Sequence, residues 1–330
     1  MKFKLTQRLL GASILALGAF GSVASLPAHA APFSGLVVFG DSLSDSGNNK
    51  LSGLFNSAQT VAGNTYIPVA TYASGVYSNG PTWATQFSAA LGLSAGPSLA
   101  GGSNYAFGGA VTSGPGFPYS LTAQVDQFLS AHPSAPSDAL YVIEGGGNNL
   151  RDAATALAAP GLTFAQQAAI ISDNASHYAT DVGNMVDSLQ AAGAQNIIVW
   201  NTPNFGATPF AGATGTQGIS SLLGATMNSA LAVRLSTETG VKTFDVFGLI
   251  STIAANPGDY DIANVGDACG AAINNCDPAT ALFWDAIHPT TKGHQLIANA
   301  MIAAAVPEPA TYLMFALGLV GLMAWQRRRG

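Results

Sequence analysis

Three residues able to run acyl-transfer chemistry lie far apart in this chain of 330 residues. Ser42 lies in Phe39-Gly40-Asp41-Ser42-Leu43-Ser44-Asp45-Ser46-Gly47-Asn48, directly after the short apolar run 35–39. Asp285 and His288 lie three residues apart in Trp284-Asp285-Ala286-Ile287-His288-Pro289-Thr290. A serine hydroxyl attacks a carbonyl well only when an imidazole takes its proton, and a carboxylate on the other ring nitrogen fixes the imidazole tautomer. Serine, aspartate and histidine are therefore the parts of a hydrolytic triad. Such chemistry also needs donors aimed at the oxygen that becomes negative, and glycine N–H groups and asparagine amides serve. Two glycine-rich segments supply them: Gly101-Gly102-Ser103-Asn104-Tyr105-Ala106-Phe107-Gly108-Gly109-Ala110 and Glu144-Gly145-Gly146-Gly147-Asn148-Asn149.

These groups need a scaffold that brings them to one edge. Compact apolar runs at 36–39, 140–143, 197–200 and 243–246, each bounded by Gly, Asn or Asp, read as strands buried on both faces. Helical stretches are expected at 82–91, 121–129, 164–192, 219–239 and 291–304. In the third, Ile171, Ala175, Tyr178, Val182, Met185 and Leu189 recur at steps of three and four, a face made for packing on a sheet. Strand–helix–strand order predicts parallel pairing and a single α/β domain, a three-layer α/β/α sandwich of flavodoxin-like type. In such sheets, chemistry gathers outside the carboxyl ends of the strands, where Ser42 and Asn148 both fall. The Gly/Ser/Tyr-rich stretch 51–80 has no period and is expected to be a long loop near the mouth of the site.

The two ends of the chain read as addresses. Residues 1–30 carry Lys2, Lys4 and Arg8, an apolar stretch and a closing Ala28-His29-Ala30, the form of a secretory signal peptide. At the other end, Val306-Pro307-Glu308-Pro309 leads into an apolar run over 310–325 and then Arg327, Arg328 and Arg329. That run is near the lower limit of what one hydrophobic, transmembrane-type helix needs, and its arginines would stay on the cytoplasmic side. The body that folds is then 31–306.

Five basic residues stand against sixteen acidic ones in that body, a net charge of −11 that the whole-chain value of −6 conceals. An acidic surface without a basic stripe excludes nucleic acid as a partner and excludes electrostatic docking on anionic lipid. No metal motif is present, and no metal or organic cofactor is implied. Cys269 and Cys276, seven residues apart, are expected to form a disulfide in an oxidising compartment. The remaining polar residues take plain roles: His132 exposed in a loop, His294 packing or capping on the last helix, Asp41 and Asp45 satisfying turn and helix-start N–H groups.

Taken together, Gly40-Asp41-Ser42-Leu43, Asn104-Tyr105-Ala106-Phe107-Gly108-Gly109-Ala110, Gly145-Gly146-Gly147-Asn148 and Asp285-Ala286-Ile287-His288-Pro289-Thr290 resemble the GDSL, or SGNH, hydrolases. The likeness runs over about 35–303 and is nearer to lipases and esterases of the plant and bacterial autotransporter type. It implies Ser42 as nucleophile, His288 as base and Asp285 as its orienting acid. It also implies an oxyanion hole of the Ser42 N–H, the Gly109 N–H (Gly108 if the register shifts by one) and the Asn148 amide. Family members usually carry aspartate where Asn149 stands, which puts the local arrangement around Asn148 in question. The tail is similar to a PEP-CTERM sorting signal of Gram-negative bacteria. That likeness implies an exosortase-type processing enzyme as partner, transient inner-membrane anchoring, and delivery to the cell surface or extracellular matrix.

Three functions fit this reading. They are a secreted esterase or lipase acting on acyl esters, an O-acetyl esterase of extracellular polysaccharide, and a matrix protein that keeps the fold without activity.

Overall fold

Alternation along β1 (Leu36–Phe39) sends side chains into two separate cores. Val37 and Phe39 enter one, Leu36 and Val38 the other, and all four are buried. The same division holds for β2 (Leu140–Ile143) and β3 (Asn196–Trp200), so an apolar run here means two covered faces. The computed structural model describes residues 33–53 and 59–306. The expected signal peptide and the expected apolar helix of the tail both lie outside those residues.

The helices follow in chain order. They are α1 (Asn48–Leu51), α2 (Trp83–Ala90), α3 (Leu121–Ala131), α4 (Gly147–Leu157), α5 (Phe164–Ala191), α6 (Pro209–Thr214), α7 (Gln217–Leu235), α8 (Val246–Ala255) and α9 (Thr291–Ala305). Helices α3, α4, α5 and α7 cover one face through Leu121, Leu150, Tyr178, Met185, Met227 and Leu231. On the other face, α2, α8 and α9 pack Trp83, Phe87, Ile250, Ile297 and Met301 onto the sheet. The result is the three-layer α/β/α sandwich.

All described strand pairs are parallel, in the order β1-β2-β3-β4. On the free side of β1 the chain adds one more rung. Val38 N donates to Ser103 O at 3.1 Å and Tyr105 N donates to Val38 O at 2.7 Å, a parallel bridge centred on Asn104. The connection after β1 therefore goes to one side of it, and the next one goes to the other. The carboxyl end of β1 is a topological switch point, the place where open α/β sheets form their clefts.

β3 begins one residue before its sequence expectation, and β4 departs further from its own. β4 spans Val241–Phe244 rather than 243–246, because Asp245 turns its side chain onto Gly248 N at 2.8 Å and caps α8. The apolar residues after it belong to that helix. β4 is also an edge strand, with Lys242 and Thr243 exposed, so it lacks the two covered faces of the other three.

Candidate active site

The turn after β1 is built around a residue that has to be glycine. A Cβ on Gly40 would stand 2.7 Å from Glu144 Oε2 and 2.9 Å from the Ser44 side chain. Its backbone is clamped by Gln124 of α3, which accepts from Gly40 N at 2.8 Å and donates to Gly40 O at 2.9 Å. Next, Asp41 N donates to Glu144 Oε2, and Leu43 N donates to Asp41 Oδ1. Asp45 accepts from the N–H groups of Gly47, Asn48 and Asn49, holding the start of α1, and from Gly108 N. Ser42 is left at the crest of this turn, 9% exposed, with no acceptor for its N–H among the described residues.

The loop 281–290 brings the other two groups to it. An antiparallel bridge between Phe283 and Pro289 pinches its ends. Inside, Asp285 Oδ1 accepts from Ile287 N at 2.9 Å and His288 N at 2.8 Å. Asp285 Oδ2 meets His288 Nδ1 at 2.7 Å, and His288 Nε2 meets Ser42 Oγ at 2.8 Å. Ser42, His288 and Asp285 thus form one continuous hydrogen-bonded chain, buried at its acid end, where Asp285 is 0% exposed.

The three expected oxyanion donors differ in their surroundings. Gly108 gives its N–H to Asp45 Oδ2 at 3.1 Å, whereas Gly109 N has no acceptor among the described residues and its residue is exposed. Gly109, at φ +85°, is therefore the available donor of the pair. Asn148 lies in the first turn of α4 rather than in a loop. Its Nδ2 donates to Ala110 O at 2.9 Å and makes only a long contact, 3.4 Å, with Asp41 Oδ2. Its Oδ1 accepts from Arg151 Nη1 at 3.1 Å, which fixes the amide with nitrogen toward the site. Asn149 points away: it accepts from Thr112 N and donates to Thr112 Oγ1.

Four residues join the site that motif reading did not single out. Tyr72, from the stretch 51–80, donates its hydroxyl to Asp285 Oδ2 at 2.8 Å. The ring of Tyr77 lies 5.4 Å from that of His288, and its hydroxyl is held by Asn49 Nδ2. Arg151 lies one helical turn after Asn148, a spacing that carries meaning only once α4 is known to start at Gly147. Glu144, wholly buried beneath Ser42, accepts from Ser44 Oγ at 2.7 Å while its Oε1 receives no donor. Burial, reinforced by the charge of Asp41, holds the Glu144 carboxyl well above the usual carboxylate range. Burial likewise raises Asp41 to about 6, against the pull of the Leu43 N–H and of nearby His288 and Arg151.

Ser42 and His288 open on a cleft whose walls are mostly apolar: Phe205, Val246, Ile250, Phe283, Ile287 and Ile297. Asp41, Asn148 and Arg151 supply its polar side. The segment 59–78 and the loop 264–277 are tied together by Asn64, whose Oδ1 accepts from Ala268 N and whose Nδ2 donates to Asp267. Cys269 and Cys276 are disulfide-bonded within that loop. Of the remaining histidines, His132 is exposed at the end of α3, and His294 is buried in α9 with its Nδ1 unpartnered. Burial lowers the His294 imidazole to about 3, so it sits there neutral as a packing residue. Among the described residues no group of three or more His, Cys, Asp or Glu could hold a metal ion, and no helix is long and apolar enough to cross a membrane.

An α/β sandwich with a serine, a histidine and an aspartate at its switch point defines a class of serine-dependent hydrolase folds. The chain belongs to the GDSL-like lipase/acylhydrolase family, whose model matches residues 36–301. A PEP-CTERM protein-sorting motif matches residues 305–329, the sorting signal of proteins secreted by Gram-negative bacteria. Among curated proteins the chain is similar to esterase EstA of Pseudomonas aeruginosa, 29% identical over 81% of this chain and 46% of that one. It is also similar to a phosphatidylcholine-sterol acyltransferase of Aeromonas hydrophila, 25% identical over 89% of this chain and 84% of that one. The chain spans about half the length of the Pseudomonas relatives it matches. Solved structures with a looser likeness include a phospholipase A1 from Streptomyces albidoflavus, at 17% identity and TM-score 0.46 over 83% of this chain and 100% of that one.

Proposed function

We propose that this protein is an exported esterase that hydrolyses carboxylic esters by a serine mechanism, with Ser42, His288 and Asp285 as its triad. The observation that carries the reading is the unbroken chain Ser42 Oγ, His288 Nε2, His288 Nδ1 and Asp285 Oδ2, at 2.8 and 2.7 Å. His288 Nε2 takes the hydroxyl proton as Ser42 Oγ bonds to the ester carbonyl carbon. The carbonyl oxygen, now negative, is met by the N–H groups of Ser42 and Gly109 and by Asn148 Nδ2. As the tetrahedral adduct collapses, the alkoxide leaves with the proton from His288, and an acyl group stays on Ser42. Water then attacks with the same proton relay, releasing the acid. Asp285 keeps one imidazole tautomer throughout and faces the positive charge that forms on the ring.

The apolar cleft walls favour an acyl or alkyl chain over a bare acetyl group on a sugar, and the intact relay favours an enzyme over a silent matrix protein. In this reading the signal peptide takes the body 31–306 across the inner membrane, and the tail holds it there for an exosortase-type enzyme. The mature chain then ends near residue 306, on the cell surface or in the extracellular matrix. Two measurements test the proposal. Assay of the full chain on p-nitrophenyl esters from acetate to palmitate, beside acetylated polysaccharide, should give serine-dependent turnover greatest on a chain longer than acetate. Wild type without activity on every ester, or Ser42→Ala with undiminished activity, would falsify it. C-terminal mass analysis of surface protein should find an end near residue 306.

A further inference from the structure

Among the described residues Arg151 is the one lysine or arginine that lines the proposed catalytic cleft, in a body with only five. It is half-buried there, opposite Phe205, Ile250 and Ile287. A guanidinium has five N–H donors in a rigid fork. Among the described residues one contact engages it, from Nη1 to Asn148 Oδ1 at 3.1 Å. Among the described residues no carboxylate stands within ion-pair distance of it, whereas Arg234 pairs with both Asp187 and Glu238 at 2.6 Å. The acid in the cleft, Asp41, accepts from Leu43 N, makes a long 3.4 Å contact with Asn148 Nδ2 and forms no ion pair with Arg151.

A cation drawn partly out of water against an apolar wall is costly unless something of opposite sign meets it. The start of α4 adds to the same field. Its N-cap is Gly146, which has no side chain to cover the first-turn N–H groups, and Gly147 and Asn148 line the cleft beside Arg151.

We infer that the ester accepted by this cleft carries an anionic group, a carboxylate or a phosphate, and that Arg151 is the residue that selects it. The inference rests on the hydrolase reading above and narrows it to a substrate class. Arg151 holds the oxygen of the Asn148 amide whose nitrogen serves the oxyanion. The anionic group therefore lies a few bonds from the ester carbonyl, and an apolar chain fills the rest of the cleft. The acidic body repels anions at long range, so selection occurs by contact inside the cleft rather than by steering.

Two matched pairs of esters test this on the full chain. Mono-p-nitrophenyl glutarate against its neutral methyl ester places the charge on the acid side. A 1-decanoylglycerol 3-phosphate against 1-decanoylglycerol places it on the alcohol side. Wild type should prefer the anionic member of one pair by about tenfold to a hundredfold in kcat/KM, mostly through KM, the size of a hydrogen bond to a charged group. The pair that shows the preference identifies the source of the charge. Arg151→Gln, which keeps an N–H for Asn148 but no charge, should bring that ratio close to one, and Arg151→Lys should retain part of it. The ratio within one variant does not depend on how much of it folds. No preference in either pair, or equal kcat losses on all four esters in Arg151→Gln, would leave Arg151 as a prop for Asn148 and overturn the inference. Those outcomes, with the neutral p-nitrophenyl panel still active, leave the hydrolase reading standing; a dead panel removes that reading itself.

Discussion

The Tyr72 hydroxyl and His288 Nδ1 meet the same oxygen, Asp285 Oδ2, from two sides, at 2.8 and 2.7 Å. With the Ile287 and His288 N–H groups on Oδ1, four donors hold this carboxylate in one orientation. Tyr72 touches neither the nucleophile nor the oxyanion donors in the described structure, so it acts by positioning. Tyr72→Phe is expected to lower kcat about three- to tenfold with little change in KM, one neutral hydrogen bond having been lost. Asp285→Asn should cost far more, on the order of 10³–10⁴, because the amide also misplaces the imidazole proton. Steady-state kinetics on one soluble ester checks both, and a Tyr72→Phe defect confined to KM would contradict the positioning role.

Members of a proton relay fail together. Ser42→Ala and His288→Ala are each expected to cut kcat by several orders of magnitude, with the double variant hardly worse than either. Asn148→Ala removes one oxyanion donor and should cost about 10²–10³. Additive losses in the double variant would show that the two residues do not share a step.

Beneath the nucleophile, Glu144 ties its burial to pH. The folded protein keeps a proton that the unfolded chain gives up above about 4.5, the ordinary value for this group. Stability contributed by that proton is therefore complete at low pH and declines as pH rises toward the folded value. The slope approaches about 1.4 kcal/mol per pH unit. Asp41 adds to the decline only up to about 6. Glu144→Gln, which needs no proton to stay neutral and can still accept from Ser44 and Asp41 N, should flatten the fall above pH 6. Denaturant unfolding of both proteins from pH 5 to pH 8 measures it, and parallel curves would rule out a protonated Glu144.

Asn149, where the family usually has aspartate, answers to its neighbour. Thr112 Oγ1 gives its only proton to Asp181 at 2.6 Å, so it can only accept from Asn149 Nδ2 at 3.0 Å. Asn149→Asp would set oxygen against oxygen and should cost about 1–3 kcal/mol. Adding Asp181→Asn reverses the polarity: the new amide donates to Thr112, whose hydroxyl then donates to the new carboxylate. Thermal unfolding should show the double variant recovering most of the loss.

How much of this could be read from sequence depended on whether the signal was local. β1 and β2 were legible to the residue, because a run covered on both faces has no polar positions to blur its ends. β4 was displaced by two, because an apolar run does not tell where strand yields to helix, and the boundary lay in Asp245 as a cap. Ser42, Asp285 and His288 came through as fixed spacings within turns. The choice between Gly109 and Gly108 did not, since it turns on which N–H Asp45 has already claimed. Tyr72 was hidden for a plainer reason. It stands 213 residues from Asp285 in a stretch without period, and nothing in its neighbours announces where its hydroxyl will arrive.

The distance between Ser42 and His288, 246 positions along the chain, has a meaning for the cell that makes the protein. Ribosomes release the proposed nucleophile early and the proposed base almost last, and contacts so far apart in sequence are slow to form because of the entropy of closing the loop between them. A nascent or threaded chain holds Ser42 as an ordinary alcohol, harmless to the lipids and metabolites around it. On the proposed mechanism that hydroxyl gains its reactivity only when the segment carrying His288 has arrived and the last helix has docked, so the topology itself works as a timer on the chemistry.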